Sequence, residues 1–154
     1  MPLSLHFSRN LQTMSSSCVH IPFSATKLFS KLINDYAEGK GSVQDYVGYA
    51  PNLEGYKAAI EGRKLNPVNR VLLTEVLTAQ YVNLKQEAAV NDNITLLKKE
   101  NTFVVTTAHQ PNLFTGPLYF FYKIIHVIQL ASSLKEAFPE CNFVPVYYMG
   151  SEDA

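Results

Sequence analysis

The chain is poor in several residue types, and each scarcity excludes a class of protein. Its 154 residues include two cysteines and no tryptophan, whereas a secreted disulfide scaffold needs a dense, even set of cysteines. Basic and acidic residues both number 13, so no positive excess points to a nucleic-acid partner. No apolar run reaches the roughly 18 residues of a membrane-spanning helix. We therefore expect a globular cytoplasmic protein that binds neither nucleic acid nor membrane.

The sequence also lacks the residue spacing of a metal-binding site. The four histidines stand at positions 6, 20, 109 and 126, and neither they nor the two cysteines have the spacing of a metal site. No resident metal is expected on this evidence.

The first residues carry an ambiguous signal. No acidic residue occurs between Met1 and Asn34, and Arg9 lies among serines, which weakly resembles a transit peptide. Met14 is followed by three serines, and a translation start at that methionine is the simpler explanation. We interpret residues 1–23 as an N-terminal extension. Within it, translation is expected to start at Met14, so that the first 13 residues would not belong to the protein.

Residues 24–100 have the pattern of a helical region. Ser24 is a suitable N-cap for a helix whose apolar residues recur at helical spacing up to Gly39. Asn66-Pro67 predicts another helix start, with the asparagine as N-cap and the proline in the first turn. A weaker helix, which contains two glycines, is expected over residues 52–64, and another helix over residues 85–99.

The pattern then changes to strand, helix and strand, which makes residues 101–154 a βαβ unit. Short β-branched or aromatic segments are typical of buried strands. The long helix between them is apolar almost all round, so we expect it to be buried. Because the crossover in such a unit is right-handed, the two strands should be parallel. The strands are expected at residues 102–107 and 143–149, and the helix from Gly116-Pro117 to about Ala137.

The predicted sheet is small for its class. Parallel sheets contain several strands, and a two-stranded one is not independently stable. The chain also ends directly after the second strand, close to the edge at which open α/β sheets bind ligands. The expectation is a fragment of an α/β protein. An inactive truncated product that exposes the apolar helix around residues 118–128 is the alternative.

The connection between the first strand and the long helix is the richest candidate site. Free backbone amides and the positive end of the helix converge there, which suits a phosphate or a carboxylate. Gly116 would let an anion approach the backbone, and Lys123 would lean back toward it. Asn112 or Thr115 is the expected N-cap. The alternative is an ordinary helix start with Lys123 on a solvated face, and the connection contains neither a Walker nor a dinucleotide-binding motif.

Three residues are candidates for proton transfer or polar contacts. His109 follows a strand, where an imidazole can act as an acid or a base, although a ring that only caps the turn remains the alternative. Glu152 and Asp153 follow the second strand and could hold a ribose hydroxyl, a magnesium ion or a substrate amine. Neighbouring residues of an extended chain point to opposite sides, so one carboxylate at most should face a pocket, unless both lie in an exposed loop.

Two blocks of sequence resemble a known family. Residues 107–119 (TAHQPNLFTGPLY), followed by Tyr122-Lys123, look like the hallmark loop of the bacillithiol-biosynthesis cysteine-adding family. Residues 144–153 (VPVYYMGSED) resemble a second block of that family, at the right spacing. The chain departs from the family pattern at Ala108, where glycine is common, and at Pro111-Asn112, where small residues are usual.

The resemblance implies a fold and an activity. It implies a Rossmann-like core related to nucleotidylyltransferases, with a coiled coil elsewhere in the protein that is used in homodimers. It also implies a ligase that joins L-cysteine to glucosaminyl-malate in the last step of bacillithiol synthesis. ATP is the expected cofactor, because an amide bond requires an activated carboxylate, and magnesium is a possible companion. A nucleotide- or anion-binding module without ligase chemistry is the alternative.

The same resemblance assigns expected roles to residues. By analogy with the phosphate loop of nucleotidylyltransferases, His109, Gln110 and Gly116 would contact phosphates or transition-state charge. The residues expected to be catalytic are His109, Glu152 and Asp153. The residues expected to bind the cofactor are Thr107, Gln110, Asn112, Thr115, Gly116 and Lys123.

Overall fold

A computed structural model describes residues 19–85 and 87–150, and for Thr115 it describes the backbone alone. The described residues fall into two compact units with a boundary between Gly48 and Tyr49. The expected start at Met14 and the carboxylates of Glu152 and Asp153 lie outside the described residues.

The first unit contains two short helices where the sequence predicted one. Helix α1 (Phe23–Thr26) ends because Lys27 adopts a left-handed conformation with φ of 57°. Helix α2 (Lys31–Ala37) then begins with Ser30 as N-cap, whose hydroxyl accepts a hydrogen bond from the Ile33 amide. The prediction that Ser24 caps a single helix was therefore wrong. A 3₁₀ helix (Ser42–Tyr46) follows.

The second unit opens with three helices, α3 (Leu53–Lys64), α4 (Arg70–Tyr81) and α5 (Ala88–Leu96). The predicted N-cap of α4, Asn66, was wrong, because its side-chain amide donates instead to the Gly62 carbonyl at the end of α3. The cap is Asn69, whose side-chain oxygen accepts from the Leu72 amide at 3.1 Å. Three residues therefore separate the predicted helix start from the observed one.

Arg70 ties the start of α4 to the chain that enters the sheet. Its guanidinium donates to the carbonyl oxygens of Leu97 at 2.9 Å, Glu100 at 3.2 Å and Thr102 at 3.0 Å. These carbonyls lie at the end of α5 and the beginning of the first strand, where helical hydrogen bonds are no longer available. A single side chain thus satisfies three backbone acceptors and fixes the position from which the strand starts.

The βαβ unit has the predicted form. Strand β1 (Thr102–His109) and strand β2 (Asn142–Met149) pair in parallel, with Thr102 opposite Asn142 and His109 opposite Met149. Helix α6 (Leu118–Ala137) provides the crossover. The parallel pairing expected from the strand–helix–strand pattern is confirmed. The carboxyl ends of both strands therefore meet at one edge of the sheet.

The packing of α6 is less extensive than expected. The helix buries Val127, Ala131 and Leu134, whereas Leu118 and Ile125 are more than half exposed. The prediction of a helix buried all round was wrong, because the two described strands cover one face of it. No helix in the described part of the chain combines the length and apolar character needed to cross a membrane.

The core of the second unit lies at the end of the sheet opposite His109. Ile60, Phe103 and Cys141 form a buried cluster against which Phe138 and Phe143 pack. Burial, followed by the nearby Glu140 carboxylate, raises the pKa of the Cys141 thiol. This cysteine is a core residue.

Replacing Arg70 with lysine should lower the free energy of unfolding by about 1–3 kcal/mol, because an ammonium cannot reproduce the fork that satisfies three carbonyls. Urea denaturation followed by circular dichroism measures the change. The matched control is Arg63→Lys, since Arg63 is exposed and donates to one carbonyl, that of Asn66, at 2.9 Å. A loss for Arg70→Lys no larger than for the control would contradict this role.

Candidate functional site

The site lies where β1 ends and α6 begins. A short 3₁₀ helix (Leu113–Thr115) and Gly116 connect the two elements. The N-cap position of α6 is Pro117, which makes no side-chain cap hydrogen bond. The N-cap position predicted for Asn112 or Thr115 is thus held by Pro117, which stands in an extended conformation directly before the first turn. A proline side chain has no polar atom and offers the first amides of α6 no hydrogen-bond acceptor.

Glycine is required at position 116. Its φ of 66° and ψ of −154° lie in a region that is essentially restricted to glycine. A Cβ atom at this position would come within 2.7 Å of both Cβ and Cγ of Asn112. Gly116 thus lets Asn112 fold back against the turn and toward His109.

The imidazole of His109 has partners on both ring nitrogens. Its Nε2 lies 2.5 Å from the hydroxyl of Tyr119 in the first turn of α6. Its Nδ1 lies 2.9 Å from the side-chain nitrogen of Asn112 and 3.0 Å from the carbonyl oxygen of Gln110. The side chain is half-buried, and the ring of Phe120 meets it edge-on at 6.1 Å. The ring is held in place rather than free in a loop.

The backbone beside His109 is held equally firmly. Its carbonyl oxygen accepts hydrogen bonds from the Tyr147 hydroxyl at 3.0 Å and the Gly150 amide at 3.2 Å. The carbonyl of Ala108, one residue earlier, accepts from Lys123 Nζ at 2.8 Å. The end of β1 is thereby anchored to both β2 and α6.

Lys123 points in the predicted direction, back toward the N-terminal end of α6. Its ammonium lies 5.8 Å from the centroid of the Tyr119 ring, as well as on the Ala108 carbonyl. An ammonium carries three protons, so the Ala108 bond leaves donors available to an anion. Binding of that anion stays a prediction.

The structure shows fewer contacts for the other residues that the sequence predicted for the site. Thr107 lies on β1 two residues before His109, and alternate residues of a strand share a face. Gln110 contributes its backbone carbonyl to the imidazole. For Thr115 the side chain is not described, and Glu152 and Asp153 lie beyond the described residues.

Sequence reasoning missed the contribution of two tyrosines. The sequence places Tyr119 in the family motif without indicating a role for it, and it predicts Tyr147 only as a residue of the second strand. The position of Tyr119 could have indicated this contact, because a residue in the first turn of a crossover helix lies near the end of the preceding strand. The identity of the atoms in contact depends on side-chain geometry that the sequence does not contain.

A cavity lies away from the β1–α6 junction. It is a groove of about 1,510 Å³ between α3, α4 and β1. Apolar side chains dominate its wall, among them Ile60, Leu73, Leu97, Phe103 and Val105. The wall also includes the basic residues Arg63, Lys64, Arg70 and Lys98.

Comparison with known sequences decides the family. A family profile described as "Bacillithiol biosynthesis BshC, N-terminal Rossmann-like domain" matches residues 14–154. The chain belongs to the BshC family. Both recognised blocks fall inside the matched region, and the Rossmann-like fold expected from them is confirmed.

Individual relatives agree with this assignment, and they are longer than the chain. Proteins named "Putative cysteine ligase BshC" from Flavobacterium psychrophilum and Flavobacterium johnsoniae are each 43% identical to the chain over 91% of its length. One of the same name from Bacillus cereus (strain AH820) is 32% identical over 79% of the chain. These matches cover 27%, 26% and 22% of the respective relatives, so the chain spans about a quarter of their length.

Replacing Gly116 with alanine should displace Asn112 and change the NMR signals of the His109 ring. It should also lower the free energy of unfolding by about 1–3 kcal/mol, the usual cost of such a backbone conformation. The matched control is Gly39→Ala, since Gly39 has the same φ of 66° with no atom within 4 Å of the added Cβ. The control should leave the His109 signals unchanged. Unchanged His109 signals in Gly116→Ala would refute the packing role of Gly116.

Proposed function

We propose that the chain forms the catalytic nucleotide-binding part of a ligase that joins L-cysteine to glucosaminyl-malate, the last step of bacillithiol synthesis. The observation that supports this most strongly is the placement of His109, which lies beside a helix start and a lysine ammonium at the carboxyl end of β1, in a Rossmann-like βα junction. Relatives bearing a cysteine ligase name support the reaction class.

ATP is the proposed cofactor, and it would activate a carboxylate for amide formation. The residues at the junction fit a phosphate. The N-cap residue of α6, Pro117, offers the first helical amides no side-chain acceptor, and the amides at a helix start attract anions. Gly116 has no Cβ to hold an anion away from the backbone, and Lys123 adds a positive charge in the second turn. Glu152 and Asp153 are the proposed carboxylates for magnesium or the substrate amine.

His109 is the proposed acid or base of the reaction. An amine that forms an amide bond must lose a proton, and histidine can accept and return one at physiological pH. The imidazole is held by Tyr119, Asn112 and Gln110, and a fixed orientation is what efficient proton transfer requires.

With ATP, cysteine and glucosaminyl-malate, the complete protein should form the cysteinyl amide, detected by mass spectrometry. His109→Ala should lower kcat by roughly 10²–10⁴-fold, the usual contribution of general acid–base catalysis, and change the nucleotide Kd much less. The control His126→Ala, an exposed position on α6, should keep wild-type turnover. Nucleotide binding without amide product would contradict the ligase and favour a binding module. Equal losses of binding and turnover would make His109 structural.

A further inference from the structure

The contacts of His109 leave one ring nitrogen facing a second ionisable group. Nε2 meets the hydroxyl of Tyr119 at 2.5 Å. The tyrosine side chain is on the surface, with half of its area exposed, whereas the imidazole is half-buried. Tyr119 is therefore the more exposed member of the pair.

The other ring nitrogen has two competing partners. The Gln110 carbonyl, at 3.0 Å from Nδ1, accepts a proton and favours the Nδ1–H form. The Asn112 amide nitrogen, at 2.9 Å, is a donor and favours the form with a bare Nδ1. That amide also donates to the Gln110 carbonyl at 3.0 Å. Each form leaves one contact between like groups, because Nδ1–H would face the Asn112 N–H and a bare Nδ1 would face the Gln110 oxygen. The Tyr119 O–H favours the Nδ1–H form when it donates to Nε2.

Tyr119 can serve either form of the ring, because a hydroxyl both donates and accepts. When Nδ1 carries the proton, Nε2 accepts from the Tyr119 O–H. When the ring is an imidazolium, Nε2–H donates to the Tyr119 oxygen, and Nδ1–H stays on the Gln110 carbonyl. The hydroxyl keeps a hydrogen bond to the ring in both states.

We propose that Tyr119 is the proton relay between His109 and the substrate amine, so that the tyrosine hydroxyl, and not the imidazole, contacts the substrate. This proposal rests on the proposed function. In this scheme Tyr119 is the catalytic residue that contacts the substrate. His109 accepts the proton from the Tyr119 hydroxyl, and Gln110 and Asn112 position the imidazole.

The proton transfers balance in the direction of amide formation. The substrate amine attacks the acyl carbon of an activated carboxyl group, a C–N bond forms, and the bond to the leaving oxygen breaks with its electron pair on that oxygen. The amine proton passes to the Tyr119 oxygen as the Tyr119 hydroxyl proton passes to Nε2. Tyr119 ends neutral and His109 ends as an imidazolium, which returns its proton to solvent or to the leaving group.

The surroundings of the pair suit this transfer. Aromatic rings pack on the imidazole side of the pair, since Phe120 meets the imidazole edge-on and Tyr147 meets Phe120 at 5.4 Å. The charged group nearest to Tyr119 among the described contacts is Lys123, 5.8 Å from the ring centroid.

The test begins with the ring nitrogens themselves. Histidine labelled with ¹⁵N reports by NMR which nitrogen carries the proton, whether or not the protein turns over. In the wild type we expect the Nδ1–H form of His109 to predominate in the neutral ring. Tyr119→Phe keeps the aromatic ring but removes the donor to Nε2, so the Nε2–H form should gain population. The matched control is Tyr122→Phe, an exposed tyrosine three residues along α6, which should leave the populations unchanged.

Turnover of the complete protein supplies the second readout. Tyr119→Phe should lower kcat by roughly 10²-fold or more with little change in KM. Combining Tyr119→Phe with His109→Ala should cost no more than His109→Ala alone, because residues of one relay are not additive.

The outcomes separate this proposal from the proposed function. Ring populations that are the same in Tyr119→Phe and the wild type would overturn the relay. Wild-type kcat in Tyr119→Phe would also overturn it, while leaving the ligase assignment intact. A wild-type protein without ligase turnover would contradict the proposed function and the relay's substrate step together, even if the NMR result supported the His109–Tyr119 hydrogen bond.

Discussion

A parallel pair of strands cannot be closed by a tight turn, and the rest of this structure depends on that constraint. The chain must leave β1 at one edge, cross over by α6 and re-enter at the opposite edge. As a consequence, the carboxyl end of β1 and the amino end of α6 are brought together by topology alone. His109 and Tyr119, ten positions apart in the sequence, are neighbours for this reason.

Side-chain contacts then turn this meeting point into a defined site. Lys123 and Tyr147 hold the last two carbonyls of β1 from opposite sides. Gly116 adopts a conformation closed to other residues and makes room for Asn112. At the other end of β1, Arg70 fixes the start of the strand through three carbonyls. The imidazole is thus positioned by contacts along the whole strand.

Predictions from the sequence succeeded where local pattern decides the outcome and failed where partners decide it. The β-branched run before His109 predicted β1, and strand–helix–strand order predicted parallel pairing. The cap of α4 was misplaced because two asparagines compete, and Asn66 bonds to the preceding helix instead. The exposure of α6 depends on how many strands cover it. Contact between Tyr119 and His109 depends on side-chain geometry, and the roles assigned to Glu152 and Asp153 stay predictions.

The central claim is that the β1–α6 junction binds the phosphates of a nucleotide. The direct measurement is an ATP titration of the ¹⁵N-labelled chain, followed by its backbone amide signals. The account predicts that the largest shifts occur at the amides of Gly116, Leu118 and Tyr119. It also predicts that Lys123→Ala weakens the binding roughly tenfold or more, the equivalent of a lost charged hydrogen bond. Lys135→Ala is the matched control, since Lys135 bonds backbone carbonyls at the far end of the same helix. Largest shifts in the groove between α3, α4 and β1, or no shifts, would contradict the claim.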